Sequence, residues 1–426
     1  MRLSVFGFAF MGQRGLCIAG LLASVIAAQV AADGTCPVEW DGEVGQPGMQ
    51  AGTVLVLTGF DDGSGEALYA GGWLPDAGGE AVNHIAQWDG DAWHSLDGGM
   101  NGSVASLAVF DDGSGPALYA GGSFTTAGGE DVDHIARWDG SSWSALSGGG
   151  TSGSVFALTV FDDGSGPALY VGGFFETAGE VTVNGIARWN GEQWSALGSG
   201  SGMGYGNVRA LEVFDDGSGP ALYAGGIFEV ADGLPASRIA KWDGQAWSAL
   251  GTGISGSLEP DAPVYSLAVF DDDSGAGSAL YVGGLFDTAG DVPVNNIARW
   301  RDGQWSAVGG GTSGSHPAVR ALAVFDDGAG SGSALYAGGD FTSAEALDVN
   351  YIASWDGSAW SPLAGGLETE AAPVVGALTV MEQGSGADAV LYVGGSFHTA
   401  GDEQALGMAR WGCQPLIFVD SFESSD

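Results

Sequence analysis

Basic residues are scarce in this chain. Eleven lysines and arginines stand against 52 aspartates and glutamates, for a formal net charge of −41, and Lys241 is the only lysine. That scarcity excludes nucleic acid as a partner, because a phosphate polymer is held by clustered Lys and Arg that release counterions, and here the arginines are scattered through the chain. Anionic membranes are excluded likewise. A P-loop needs a lysine before Ser or Thr, whereas Lys241 precedes Trp242. Histidine is limited to His84, His94, His134, His316 and His398, and cysteine to Cys17, Cys36 and Cys413, which is too dispersed for a clustered zinc site. His84 and His134 occupy equivalent positions of adjacent repeats, read here as drift within the repeat rather than a metal pair. Helical periodicity is missing, and past the N-terminus no apolar run is long enough to span a bilayer.

The first 32 residues contain no acid, carry Arg2 and Arg14, and run apolar from Leu16 through Val30 to Val30-Ala31-Ala32. This reads as a secretory signal peptide over residues 1–32, cleaved after Ala32. A lipid attachment at Cys17 fails because Arg14-Gly15-Leu16 places a charge where an apolar residue belongs. The expected product is a secreted protein, extracellular or periplasmic, without a membrane span and monomeric. Its two remaining cysteines, Cys36 and Cys413, should pair in an oxidising compartment.

What the chain has in quantity is repetition. Seven copies of one unit can be anchored on Trp88, Trp138, Trp189, Trp242, Trp300, Trp355 and Trp411, spaced 50 to 58 residues apart. Each copy holds four short segments of strand character, as in VASLAVF, ALYAGG, HIARW and WSAL, separated by turn residues. Asp-Asp-Gly-Ser-Gly and Trp-Asp-Gly-x-x-Trp put Asp-Gly where a tight hairpin needs positive φ. Four strands per unit make a propeller blade. The fold expected is all-β, a seven-bladed β-propeller of four-stranded antiparallel blades over residues 33–413, with a tail at 414–426.

The residues at Leu118 to Gly122, Trp138 and Trp143, and again at Leu169 to Gly173, Trp189 and Trp194, resemble the kelch repeat of β-propellers. One departure is consistent: kelch repeats usually have tyrosine where this chain has Trp138 and its equivalents. The LYxGGxF and IAxWDGxxWSxLG phrases are similar to the repeats of fungal cortical polarity markers, which are surface proteins. The resemblance implies a fold and not an activity.

The recurrence of tryptophan once per blade reads as packing between sheets rather than as a carbohydrate platform. Trp73 is aligned with Phe124, Phe175 and Phe228, as a departure from the consensus. The paired aspartates read as hairpin turns, because adjacent acids on an extended strand point to opposite sides; calcium is the alternative, and no other cofactor is called for. Turns between strands 1 and 2 and strands 3 and 4 share one face, which should be uniformly acidic. The opposite face carries loops that differ between blades, at residues 198–207, 251–263 and 309–317, and a ligand site is expected there. Tyr205, Glu259, Asp261, His316, Glu368 and Glu370 are its candidate residues, and no catalytic residue is assigned. The expected function is a non-catalytic binding or surface-interaction module for an extracellular protein or glycan. The alternatives are a carbohydrate-active enzyme on a propeller scaffold and a calcium-dependent adhesin.

The last copy stops at Met408-Ala409-Arg410-Trp411-Gly412-Cys413 without its Trp-Ser-Ala-Leu strand. Cys36-Pro37-Val38-Glu39-Trp40 is expected to supply the missing strand from the N-terminus. Cys36 would then meet Cys413.

Overall fold

Alternation of apolar residues in VASLAVF makes the strand Val104–Asp111, and the apolar run before the glycine doublet makes Pro116–Gly122. Ile135–Trp138 and Trp143–Ser144 complete one antiparallel sheet in that order. The computed structural model describes residues 38–413 apart from 47, 50–51, 205, 257–260, 273, 370–373 and 383–388. Among the described residues this four-stranded sheet occurs seven times, and the first strands of successive sheets contact one another in a closed ring. Those first strands line the axis. The seventh sheet is completed from the other end of the chain: Val38–Asp41 pairs antiparallel with Met408–Cys413, placing Val38 opposite Cys413 and Trp40 opposite Trp411.

The glycine doublet sets how closely blades approach. A Cβ on Gly172 would lie 2.6 Å from Cγ1 of Val208 in the next blade, and one on Gly338 would lie 2.4 Å from Cγ1 of Val375. The same contact closes the ring, where Gly394 faces Val54 at 2.5 Å. The second glycine of each doublet packs on its own blade, where a Cβ on Gly122 would collide with the Ser103 carbonyl.

The tryptophans are core. Trp138 and Trp143 are buried, with ring centroids 5.2 Å apart, and Trp40 and Trp411 form the equivalent pair at 5.0 Å. The second tryptophan of a blade reaches its neighbour: Trp143 Nε1 donates to the Leu96 carbonyl at 3.2 Å, and Trp40 Nε1 donates to the Ala364 carbonyl at 2.8 Å. Such indole bonds tie a polar group to the adjoining crossover where water cannot.

The Asp-Asp-Gly-Ser-Gly turns use their acids internally. Asp61 Oδ1 accepts from the N–H groups of Gly63 and Gly65 at 2.8 and 3.0 Å, so the first carboxylate closes the turn. The second points inward: Asp112 Oδ1 accepts from Ser114, and its Oδ2 accepts from the Tyr119 hydroxyl at 3.0 Å and faces Arg137 Nε at 3.2 Å. Burial pushes the Tyr119 hydroxyl pKa upward, and the Asp112 charge adds to the shift. The same Asp, Tyr and cation recur as Asp216, Tyr223 and Lys241 in blade 4, whereas in blade 1 the third strand offers Gln87, whose Nε2 donates to the Tyr69 hydroxyl, and in blade 6 Ser354. In blade 7 Arg410 pairs instead with Asp41 of the N-terminal strand.

Turns of adjacent blades touch on one side of the ring, where a Cβ on Gly140 would meet the Asp62 carbonyl at 2.9 Å. This is the turn face. On the opposite, loop face, each segment between strands 2 and 3 folds into a two-residue hairpin, such as Thr126–Ala127 with Glu130–Asp131. Several of these hairpins take a further strand or bridge from the preceding crossover, as in Ile254–Ser255 against Thr288–Ala289. This outer tier of miniature sheets was not expected from the sequence, since two-residue strands carry no periodicity to read.

The glycine contact is directly testable. Gly172→Ala should destabilise the fold by about 1–3 kcal/mol through overpacking against Val208. Gly172→Ala combined with Val208→Ala should recover part of that loss in a denaturant-based double-mutant cycle, whereas strict additivity would show the two residues to be independent.

Candidate functional site

In every blade the first strand opens with a β-bulge, a register shift between its first valine and the residue two further on, as between Val155 and Ala157. The bulged residue leaves the ladder and turns toward the axis at the end of the channel that opens on the loop face. This position is Leu55, Ala105, Phe156, Arg209, Tyr265, Arg320 and Gly376 in blades 1 to 7. No other position of the first strand varies so widely in chemistry. Five of these residues line a cavity of about 210 Å³ whose walls come from the first strand of every blade.

The second variable position follows the glycine doublet: Trp73, Ser123, Phe174, Ile227, Leu285, Asp340 and Ser396. Trp73 therefore does not occupy the phenylalanine position. Leu74, fully buried, stands where other blades have Phe124 and Phe175, while Trp73 is 57% exposed and Phe174 59% exposed. The alignment expected for Trp73 was one residue out, because a tryptophan was equated with the nearest aromatic instead of with Ser123.

The channel mouth is divided. Leu55, Trp73, Phe156 and Phe174 make one side apolar, all from blades 1 and 3, with the small Ala105 and Ser123 of blade 2 between them. Blades 4 to 6 supply the charges. Arg320 forms a two-pronged pair with Asp340, its Nε and Nη2 donating to Oδ1 and Oδ2 at 2.7 and 2.6 Å. Tyr265 lies between the two arginines, with Arg320 Cζ 5.0 Å and Arg209 Cζ 5.5 Å from its ring centroid, and Arg209 Cζ is 5.3 Å from that of Phe156.

Arg209 differs from every other described basic side chain. Each of the others has a carboxylate within 3.6 Å. Among the described residues Arg209 makes no ion pair; its Nε donates to Asn207 Oδ1 at 3.0 Å. Burial lowers its pKa, Tyr265 opposes the shift, and the like charge of Arg320 adds to it. A half-buried cation left without a counter-ion is costly, so its retention in an apolar strand points to a role.

Glu212, three residues along the same strand, sits where other blades carry Ala or Thr. Burial pushes its carboxyl up to about 7, opposed by the Val213 N–H that donates to Oε1 at 3.1 Å.

The residues expected to form the site do not converge. Asp261, His316 and Glu368 are exposed, on the crossovers leaving blades 4, 5 and 6. Each takes part through its backbone: the Asp261 carbonyl accepts from Arg238 Nε, the His316 carbonyl from the Ala318 N–H, and the Glu368 carbonyl from the His398 N–H. Tyr205, Glu259 and Glu370 lie outside the described residues. His84 and His134 have φ of 76° and 71°, a left-handed conformation that Gly185 and Gly407 adopt freely at the same place in blades 3 and 7. Among the described residues no group of three His, Cys, Asp or Glu side chains is arranged to hold a metal ion.

The fold and site define a β-propeller with a divided channel mouth on its loop face. No protein-family model and no curated protein matches the chain. Among solved structures it is similar to the extracellular domain of the hybrid two component system BT4673 from B. thetaiotaomicron, at 11% identity and a TM-score of 0.51, covering 88% of this chain. It spans 39% of the length of that protein. BBS1N, in complex with ARL6DN, shares 11% identity over 87% of this chain and 94% of its own, with a TM-score of 0.44. An ancestral GH74 enzyme shares 14% identity over 84% of this chain and 48% of its own, with a TM-score of 0.44. These likenesses are of fold alone.

The Glu212 carboxyl predicts a pH dependence of stability. Its folded pKa of about 7 lies above the ordinary glutamate range, so the native state holds the proton more tightly than the unfolded chain. The stability this contributes is full below the unfolded pKa and is lost as pH rises through about 7. Relative to wild type, Glu212→Gln should be more stable at pH 8 than at pH 4 by up to about 3 kcal/mol, as measured by chemical denaturation at the two pH values.

Proposed function

We propose that this protein is a secreted, kelch-like, non-catalytic binding module, and that its ligand, an extracellular protein or glycan, docks across the channel mouth on the loop face. The observation carrying this reading is where the blades differ. Packing residues recur around the ring, while the bulge position and the position after the glycine doublet change from blade to blade and surround one opening. A rigid frame with chemistry varied at a single mouth is the arrangement expected of a recognition surface. The unpaired Arg209 and the exposed Trp73 and Phe174 are its most distinctive groups. Binding should be seen on a glycan and protein array probed with the purified protein, with and without calcium. Trp73→Ala and Phe156→Ala should each weaken it, and Asp91→Asn on the turn face should not. Loss with the turn-face variant alone, or turnover of the bound glycan, would refute the reading.

Secretion and a Cys36–Cys413 disulfide belong to the same proposal. The pairing of Val38 with Cys413 brings the chain two residues from Cys36 to the end of the partner strand, in support of the bond. In the loop-entropy model a closed loop of this length removes roughly 6 kcal/mol of chain entropy from the unfolded state. Intact-mass measurement of protein recovered from the medium tests both points. The chain should begin at Asp33 and gain the mass of two hydrogens on reduction. An uncleaved leader or an unchanged mass would count against each in turn.

A further inference from the structure

Arg209 can do something specific with what surrounds it. Its guanidinium is flanked by the Phe156 and Tyr265 rings, its Nε is engaged by Asn207, and neither Nη group is a buried atom lacking a partner. The forked edge of the guanidinium is thus held in a fixed orientation, with its Nη donors left for a planar acceptor. A carboxylate matches that geometry. Arg320 is no substitute, because Asp340 already neutralises its charge through a two-pronged pair on Nε and Nη2.

A second cavity adjoins the mouth through blade 3. Val155 pairs with Gly173, so Phe156 and Phe174 follow paired positions, one facing the channel and the other the loop face. Phe174 lines a cavity of about 430 Å³ together with His134, Ser152, Ser154, Glu176 and Asn184. His134 Nδ1 is buried there without a partner, and burial lowers the His134 pKa. An exposed aromatic ring edged by hydroxyl, amide, imidazole and carboxylate groups suits a sugar, whose C–H face packs on the ring while its hydroxyls take the polar edge, the Glu176 carboxylate accepting from them. A peptide would instead present backbone to a strand edge, and the first strands here are already paired.

We infer that the mouth binds an acidic oligosaccharide, one bearing a uronate carboxylate, with the carboxylate on Arg209 and neighbouring sugar rings on Phe174 and in the cavity beside it. The assignment rests on the mouth being the ligand site. The chain's overall acidity does not prevent it, since remote charges are screened beyond about 8 Å at physiological ionic strength, while a contact pair at the mouth is not.

The test is calorimetric titration of the full secreted chain with tri-galacturonic acid and with its fully methyl-esterified counterpart, which keeps the rings and removes the charge. The acid should bind, and the ester should bind roughly ten- to a hundred-fold more weakly. Arg209→Gln should lower affinity for the acid by a similar factor and leave the ester unaffected, while Phe174→Ala should weaken both; thermal melting confirms that each variant is folded. Equal binding of acid and ester, with Arg209→Gln silent and Phe174→Ala impaired, would overturn the carboxylate assignment and leave the mouth as the ligand site. No binding of either sugar would overturn the assignment too. So would binding of a peptide with a free C-terminus that is lost on amidation and in Arg209→Gln, which would name a different ligand for the same arginine.

Discussion

The structure depends on one contact repeated around the ring: the first glycine of each doublet receives a valine from the first strand of the next blade. At 2.4 to 2.6 Å from an added Cβ, as at Gly121, Gly172, Gly225 and Gly394, the valine leaves no room for any larger residue. The blades therefore stand at one fixed spacing. With that spacing set, the tryptophan pairs fill the wider outer gaps, and an indole bond to the preceding crossover recurs in six blades, Trp247 of blade 4 being the exception. Within the first strand the widest variation falls where a side chain leaves the ladder, at the bulge beside each such valine.

The acidity has two components. A large part of it is structural, because the turn aspartates are consumed by their own backbone, by a tyrosine hydroxyl and, in the blades that have one, by a cation on the third strand. Hydrogen bonds to backbone and serine hold Asp139 at about 2, as suits a carboxylate whose charge the turn requires. The hairpin reading of Asp-Asp-Gly-Ser-Gly was right for this reason, and Tyr119 and Arg137, read as parts of apolar strands, are partners of the second aspartate. The remainder, in exposed loops such as those of Asp261 and Glu368, is solvated.

Blade count, strand order and the N-terminal completion of blade 7 were legible in the sequence, because each follows from a residue that must recur or from one that is missing. The mouth was not. Sequence reasoning looked for the site in long irregular loops, and chose Glu259, Glu370 and Tyr205 for being unlike the repeat. The more telling departure is a single residue inside a regular phrase: Arg209 in NVRALEVF, where the other copies have Leu55, Ala105, Phe156, Tyr265, Arg320 or Gly376. Strand alternation assigns every side chain to one of two sheet faces, and a bulge creates a third direction that a period of two cannot express. Seven aligned copies would have exposed the column, since an arginine in an apolar strand is its own signal.

Blade 7 also determines how the molecule responds to being pulled. Val38 and Cys413 lie opposite each other at the same end of an antiparallel pair. Tension applied through the two ends of the chain would therefore peel that pair apart one rung at a time from the Val38 side, rather than load all its rungs together. Peeling is the weak direction for a sheet. Once Trp40 is drawn away from Trp411 and Ala364, the seventh blade loses its outer edge while the other six keep theirs. A covalent bond between Cys36 and Cys413 would sit where the peeling begins and would carry the load itself, turning the weakest point of the ring under force into one of its strongest.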